Sequence, residues 1–253
     1  MINGVYLSTM GAMVQASRHG VVANNLANAN TVGFKPDVTT MRELLPESVL
    51  QPGYRFGVNE LLEKTGGGAW LHQTDPTWEV GPFRMTSNPL NAAIRDRNGF
   101  FEVERDGKRM LSRDGAFTRN SEGELTLADG ETRVLDESGS PIVITGAARI
   151  REDGAVLDEL TGEPFAQLGL VRVDDLGALR KQGDNLFDPG EAQLSPGGVE
   201  VLPGAVEESA VEPVRSMVAM IEAARAYQAN MRLVSIQDQV LGRTVTTVGS
   251  VRG

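Results

Sequence analysis

The segment that decides the fold is residues 213–248, PVRSMVAMIEAARAYQANMRLVSIQDQVLGRTVTTV. Apolar or aromatic side chains recur there at alternating steps of three and four residues, which is typical of a helix that packs along its length against another helix. The row consists of Met217, Met220, Ala224, Tyr227, Met231, Val234, Asp238, Leu241, Val245 and Val248. Pro213 suits the first turn of a helix. At about 1.5 Å per residue, the row predicts a helix roughly 48 Å long.

Asp238 is the one charged member of this row. A buried aspartate would need a cation from another helix and could fix the register of packing. Alternatively, the position faces solvent near a frayed helix end. The sequence leaves both interpretations open.

The N-terminal segment repeats the same spacing and predicts a second helix. Its row consists of Leu7, Met10, Val14, Ser17, Val21, Asn24 and Asn28. The two helices could pack together within one chain or assemble with helices of other chains. The asparagine-rich residues 24–31, followed by Gly33, either end the first helix or form a ladder of amides between packed helices.

The centre of the chain, residues 81–204, predicts short antiparallel strands. Turn-forming pairs that end in glycine separate short apolar runs, as expected for hairpins. The pairs are Asp106-Gly107, Asp114-Gly115, Glu122-Gly123, Asp129-Gly130, Ser138-Gly139, Asp153-Gly154 and Thr161-Gly162. Residues 36–80, interrupted by Pro46, Pro52 and Pro76, predict a linker or arm. We expect Trp70 and Trp78 to dock this arm, onto the β-domain itself.

Composition excludes several classes of function. A net charge of −10 argues against nucleic acid as a partner, and the absence of cysteine excludes disulfides and cysteine-based sites. Phosphate-loop, dinucleotide and nucleophile-elbow motifs are missing, and His19 and His72 are the only histidines. We therefore predict no catalytic, cofactor-binding or metal-binding residues. The acidic pairs Asp174-Asp175 and Glu207-Glu208 are interpreted as solvated charges.

Several ordered motifs resemble one known family. Residues 23–28, ANNLAN, with Thr31, Gly33, Phe34 and Lys35, look like the N-terminal signature of the flagellar basal-body rod and hook proteins. Residues 86–94, 99–103, 113–117 and 141–144 resemble the middle motifs of that family, and residues 217–221 with Arg225, Ala226, Tyr227 and Asn230 resemble its C-terminal motif. The chain departs from the pattern at Arg97-Asn98-Gly99, Ala210 and Ala224.

The resemblance implies an α+β fold, mainly β in its centre, in which N- and C-terminal helices form a coiled-coil layer and the central antiparallel β-domain lies outside it. Residues 1–35 and 205–253 would form the discontinuous helical domain, residues 36–80 the linker or arm, and residues 81–204 the outer β-domain.

The resemblance further implies a structural, non-enzymatic subunit without cofactors that polymerises into the axial drive shaft of the flagellum. Its partners would be homologous proximal and distal rod subunits, and in transit the type III export apparatus. It would lie in the periplasmic rod of the basal body without spanning the membrane. The start of the sequence lacks a basic segment followed by an apolar run, so we expect no cleaved signal peptide.

Within the family, the chain looks more like the proximal-rod subtype than the distal-rod one. A soluble coiled-coil adaptor and a cell-wall-binding β-domain protein are the alternatives from another class. The expected assembly interface comprises Leu7, Met10, Val14, Val21, Asn24, Asn25, Leu26, Asn28, Met217, Met220, Ile221, Ala224, Tyr227, Met231, Val234, Leu241, Val245 and Val248.

Overall fold

The computed structural model of the chain describes residues 2–44 and 68–250. Part of the predicted arm, including Pro46 and Pro52, lies outside the described residues, as does the side chain of Val248.

Two long helices form at the two ends of the described chain, as the apolar spacing predicts. Helix α1 is Ile2–Ala27 and helix α2 is Pro213–Ser250. Helix α1 ends at the asparagine-rich segment, where the backbone N–H of Thr31 donates to the carbonyl of Asn28 at 3.2 Å. Gly33 then adopts a φ of +66°, a conformation that favours glycine. The segment therefore ends the helix, in agreement with the first of its two interpretations.

Between the helices the described residues form short strands and one 3-10 helix, Leu176–Ala178. In chain order the strands are β1 Asp37–Leu44, β2 Gly68–Pro76, β3 Phe83–Met85, β4 Ala92–Ile94, β5 Gly99–Arg105, β6 Lys108–Ser112, β7 Thr118–Arg119, β8 Leu125–Thr126, β9 Arg133–Val134, β10 Ala148–Ile150, β11 Ala155–Asp158, β12 Pro164–Gln167, β13 Leu170–Val173, β14 Arg180–Gly183, β15 Leu186–Asp188, β16 Leu194–Pro196, β17 Val201–Pro203 and β18 Ala205–Glu207.

Strand β5 is the centre of the largest sheet. It pairs antiparallel with β6, β9 and β13, and the sheet continues through β15 and β14 on one side and through β8 and β7 on the other. Strands β10, β11 and β12 form a separate antiparallel sheet. Three two-stranded sheets pair β17 with β4, β18 with β3, and β1 with β2. The predicted α+β fold with a central antiparallel β region is confirmed.

The predicted glycine turns are confirmed at all but one position. Six of the seven glycines have a positive φ, as tight turns require. Gly115 differs, because a methyl group there would lie 1.6 Å from the carbonyl oxygen of Ala92. Asp114-Gly115 was therefore wrongly predicted as a hairpin turn, and glycine is needed there for close backbone approach.

Two apolar clusters fill the two sides of β5. Phe101 and Val103 belong to the larger cluster, which includes Leu125, Ile142 and Leu168. On the other side, Phe100 packs edge-on against Trp78 with ring centroids 5.6 Å apart, and Phe187 completes the group. Trp78 thus docks on the β region as predicted, whereas Trp70 is exposed.

The chain divides into two compact units. The helix unit comprises Met1–Leu26, Asp37–Asp75 and Pro213–Gly253, and the β unit comprises Ala27–Pro36 and Pro76–Glu212. In this division β1 and β2 group with the helices, and residues 27–36, 77–80 and 205–212 group with the strands.

Candidate assembly surface

Helix α2 exposes much of its apolar surface in the single chain. Of the predicted interface residues, Met217, Ile221, Tyr227, Met231 and Val245 are exposed. Five further large apolar residues of the helix are exposed as well: Val214, Val218, Leu233, Ile236 and Val240. We call these ten residues the exposed apolar surface of α2. Large apolar side chains exposed together are typical of surfaces that bind another protein.

The covered row of α2 is different in character. It consists of Ser216, Ala219, Ala223, Ala226, Asn230, Val234, Gln237 and Leu241. Most of these side chains are small or polar, and only Val234 and Leu241 belong to the apolar row predicted from the sequence. Met220 and Ala224, from that predicted row, are half-buried beside it. Asp238 is exposed, in agreement with its solvent-facing interpretation.

The predicted positions on α1 are more enclosed. Val14 is buried, and Leu7, Met10 and Val21 are half-buried. A methyl group built on Gly68, the first residue of β2, would lie 3.3 Å from a Leu7 methyl carbon and 3.7 Å from the Met10 Cβ. Leu7 and Met10 therefore pack against the start of β2 within the helix unit.

The asparagine-rich end of α1 makes a specific link inside the helix unit. Asn25 is buried, and its amide pairs with the backbone of Asp37 in both directions. Its Nδ2 donates to the Asp37 carbonyl at 2.8 Å, and its Oδ1 accepts the Asp37 N–H at 2.9 Å. Of the other predicted members here, Leu26 and Asn28 are half-buried and Asn24 is exposed. Asn25 thereby fixes the chain reversal into β1.

Helices α1 and α2 also touch through glycines and amides. A methyl group built on Gly4 would lie 3.0 Å from Nε2 of Gln237, and one built on Gly11 would lie 3.2 Å from Oδ1 of Asn230. The residue nearer the start of α1, Gly4, meets the residue nearer the end of α2, Gln237, whereas Gly11 meets Asn230. The helices therefore run antiparallel where they meet.

The β unit contains a buried charge cluster that joins three distant parts of the chain: Lys35, Arg113 and Glu207. The Nζ of Lys35 lies 2.6 Å from Oε1 of Glu207, and Nη1 of Arg113 lies 3.4 Å from Oε2 of the same carboxylate. The side chains of both cations are 0% exposed and that of Glu207 is 1% exposed. Glu207 was therefore wrongly interpreted as a solvated charge, whereas Glu208, paired with Arg84, is exposed.

Backbone groups complete the cluster. The N–H of Gly81 donates to Oε1 of Glu207 at 2.8 Å, and Lys35 Nζ donates to the carbonyl of Glu79 at 2.7 Å. Nη2 of Arg113 donates to the carbonyls of Asp96 and Arg97, while its guanidinium lies 5.0 Å from the ring centroid of Phe100. Buried charges are stable only when they are paired and hydrogen-bonded. This network supplies partners for all three charged groups, although the buried Nε of Arg113 has none among the described residues.

Burial nevertheless disfavours the charged form of Lys35. It lowers the pKa of the Lys35 ammonium from 10.5 to about 8, against the opposing attraction of Glu207. Arg113 adds like charge that acts in the same direction as burial.

Contacts with this cluster hold the residues that follow α1 in place. The N–H of Gly33 donates to the backbone carbonyl of Glu207 at 2.7 Å, and a methyl group on Gly33 would lie 2.5 Å from the carbonyl oxygen of Arg113. Lys181 donates to the carbonyl of Lys35 and lies 4.1 Å from the ring centroid of Phe34. The Gly33-Phe34-Lys35 segment is thus anchored in the β unit. No local pattern predicts this anchoring, because the partners of Lys35 are far away along the chain.

The described residues hold no group of three histidine, aspartate or glutamate side chains arranged to bind a metal ion. Within the same residues, neither helix has the length and apolar content to cross a membrane. A cleft is lined by Arg105, Asp114, Leu127, Ala128, Asp129 and Asp184. Burial there raises the pKa of the Asp114 carboxyl from 3.8 to about 6, although it accepts the N–H of Ala116.

Comparison with known families matches both ends of the chain. Residues 6–35 match the family model described as flagella basal body rod protein, and residues 202–247 match the C-terminal model of the flagellar basal body rod FlgEFG proteins. The first range contains most of α1 and the anchored segment with Lys35, and the second contains Glu207 and most of α2.

Relatives match over nearly the whole length. The flagellar basal-body rod protein FlgF of Caulobacter vibrioides is 30% identical over 258 residues, which cover 99% of this chain and 100% of the relative. FlgG of the same organism is 30% identical over 92% of this chain and 95% of its own. FlgF of Rhizobium meliloti is 28% identical over the full length of both chains.

Proposed function

The chain belongs to the flagellar basal-body rod protein family, and from this premise we propose that its terminal helices polymerise it into the axial shaft that transmits torque. It is a structural subunit of the bacterial flagellar basal-body rod. In this proposal the two helices, rather than the β unit, make the contacts between subunits.

The observation that carries the proposal is the exposed apolar surface of α2. Met217 is 49% exposed, Ile221 53% and Val245 70%. Burying apolar area is worth about 25 cal/mol per Å², so contact with helices of other subunits would stabilise a polymer substantially. The described β unit exposes fewer large apolar side chains than α2, namely Val80, Phe83, Met85, Val143 and Leu160.

Assembly would be head-to-tail. A surface that fits a different surface on the next subunit generates a helical tube when the contacts do not close into a ring. The α1 positions Leu7, Met10, Val14 and Val21, with Asn24 and Leu26, would contribute to the same layer, and a coiled-coil arrangement of that layer is part of the proposal. Torque would then pass through many parallel contacts.

We further propose that the partners are other rod subunits, that the chain travels through the type III export apparatus, and that it lies in the periplasmic part of the rod near the proximal end. The family relationship supports these assignments. Labelling the chain in purified hook–basal bodies would distinguish a proximal place from a distal one nearer the hook.

The test of the assembly surface replaces Tyr227 and Met231 together, Tyr227→Asp with Met231→Asp. Both side chains are partly exposed in the single chain. We therefore expect the purified subunit to unfold at the wild-type urea concentration, because little intrachain packing is lost. In cells that lack the native chain, we expect loss of swimming, and mass spectrometry should find none of the variant in purified basal bodies.

The matched control is Gln228→Asp with Gln239→Asp, which adds the same charge at exposed polar positions of α2. We expect this control to support motility. Normal motility and normal incorporation of the Tyr227→Asp, Met231→Asp variant would overturn the assignment of this surface to assembly.

A further inference from the structure

Two glycines of α1 lie directly under two amide side chains of α2. A methyl group on Gly4 would meet the Gln237 amide at 3.0, 3.3 and 3.4 Å, and one on Gly11 would meet the Asn230 amide at 3.2, 3.3 and 3.4 Å. These distances are shorter than ordinary van der Waals contact, or at its lower limit, for all three amide atoms. Each amide therefore packs closely over its glycine, and any larger residue at that position would require the amide to shift.

The two contacts share one spacing. Gly4 and Gly11 are seven residues apart, as are Asn230 and Gln237, and the pairs run in opposite directions along the chain. Seven residues are two turns of helices that wind around each other, so both amides meet their glycines on the same side of the pair.

We infer that Gly4 and Gly11 on α1, with Gln237 and Asn230 on α2, select the register of the antiparallel terminal helix pair. Each glycine is a socket that one amide fills. A slip by one turn would place the amides against side chains and leave the sockets empty. A slip by seven residues, or two turns, would bring Asn230 to Gly4 and fill only one of the two sockets. The inference concerns contacts within one chain, so it does not depend on how subunits assemble.

Hydrogen bonding does not account for the position of the Gln237 side-chain oxygen. Among the described residues, the buried Oε1 of Gln237 has no hydrogen-bond partner, and neither has that of Gln15 on α1. A buried acceptor without a partner destabilises a fold. Polar residues in a helix seam specify register at the expense of stability, and that role fits amides whose volume matches a socket while an oxygen stays unpaired.

Two other helix glycines, for which the structure describes the surroundings, lack this feature. Methyl groups built on Gly20 of α1 and on Gly242 of α2 would have no atom within 4 Å. The sockets are therefore a property of positions 4 and 11, and Gly20 provides a control within the same helix.

Disulfide trapping tests the register, because the native chain has no cysteine to compete. Gly4→Cys with Gln237→Cys, and separately Gly11→Cys with Asn230→Cys, place two cysteines at facing positions of the two helices. We expect both pairs to cross-link under mild oxidation, at yields at least tenfold above those of the slipped pair Gly4→Cys with Asn230→Cys. Equal yields for matched and slipped pairs would overturn the inference.

Filling a socket tests its role in selection. Gly11→Leu should reduce cross-linking of the Gly4→Cys, Gln237→Cys pair about tenfold, whereas Gly20→Leu should leave it unchanged. Adding Asn230→Ala to Gly11→Leu removes the amide that leucine displaces and should restore the cross-link. If Gly11→Leu leaves the yield unchanged, the sockets do not select register. If its loss is not restored by Asn230→Ala while circular dichroism shows intact helices, the inference is likewise wrong.

Discussion

The β unit and the helix unit treat their large side chains in opposite ways. The β unit buries Phe100, Phe101, Phe117 and Phe187 completely, and it encloses even charged side chains. Helix α2 covers small and polar residues and leaves ten large apolar ones exposed. A fold that buries its apolar surface is complete by itself. A helix that exposes such surface gains its stability when other chains cover it, as in a polymer.

The largest effect is expected where the β unit encloses charge. Glu207→Ala leaves Lys35 and Arg113 buried without their carboxylate, and breaking one side of a buried ion pair costs about 3–5 kcal/mol. We expect the free energy of unfolding, measured by urea titration of the purified chain, to fall by this amount.

The neighbouring Glu208→Ala is the matched control. Its salt bridge with Arg84 is exposed, and exposed pairs contribute about 0–1 kcal/mol. If the two variants were equally stable, the cluster around Glu207 would not hold the β unit together, and the contrast between the units would lose its strongest support.

An intermediate effect is expected at Asp114, whose carboxyl pKa burial raises from 3.8 to about 6. Between these pH values the folded chain binds more protons than the unfolded chain, so its stability falls as pH rises from about 4 to about 6. Asp114→Asn removes this dependence while keeping an oxygen for the N–H of Ala116. Relative to the wild type, it should gain about 2–3 kcal/mol across this range.

Urea titrations at several pH values would measure this gain. Asp153→Asn is a control in which the effect of pH on stability has the opposite sign, because hydrogen bonding to Arg151 lowers the pKa of exposed Asp153 to about 2. A pH dependence that is identical in wild type and Asp114→Asn would contradict the prediction.

The smallest effect is expected on the exposed apolar surface of α2. Ile221→Ser and Ile236→Ser change side chains that are 53% and 55% exposed, so each should alter the unfolding free energy of the single chain by less than about 0.5 kcal/mol. Ile142→Ser, at a fully buried position of the β unit, should cost several times more. A large loss for Ile221→Ser would mean that the helix unit, too, depends on its own apolar packing.

Local patterns predicted the elements well. Three-and-four spacing located both helices, and glycine after a turn-forming residue located six turns, because these signals depend on neighbours within a few residues. The exception, Asp114-Gly115, has the composition of a turn, but its glycine is required by Ala92 on another strand. A local pattern carries no information about such a distant neighbour.

The same limit explains the charge cluster and the covered face of α2. Glu207 lies 172 residues from Lys35 and 94 from Arg113, so its adjacent glutamate was the only visible context. On α2 the apolar row was visible, but the face that covers α1 is set by Asn230 and Gln237 fitting glycines at the other end of the chain. Apolar spacing identified a surface for packing without identifying which partner takes which face.

The long separation between Lys35 and Glu207 also constrains the order of folding. In a chain that leaves a ribosome or a narrow channel from its N-terminal end, this ion pair can form only once Glu207, 172 positions after Lys35, has emerged. Contacts between residues so far apart form slowly, because the intervening loop must first be ordered. The strands between them have local partners and can pair earlier. The charge cluster and the contacts between α1 and α2 therefore form last, after nearly all of the chain has emerged.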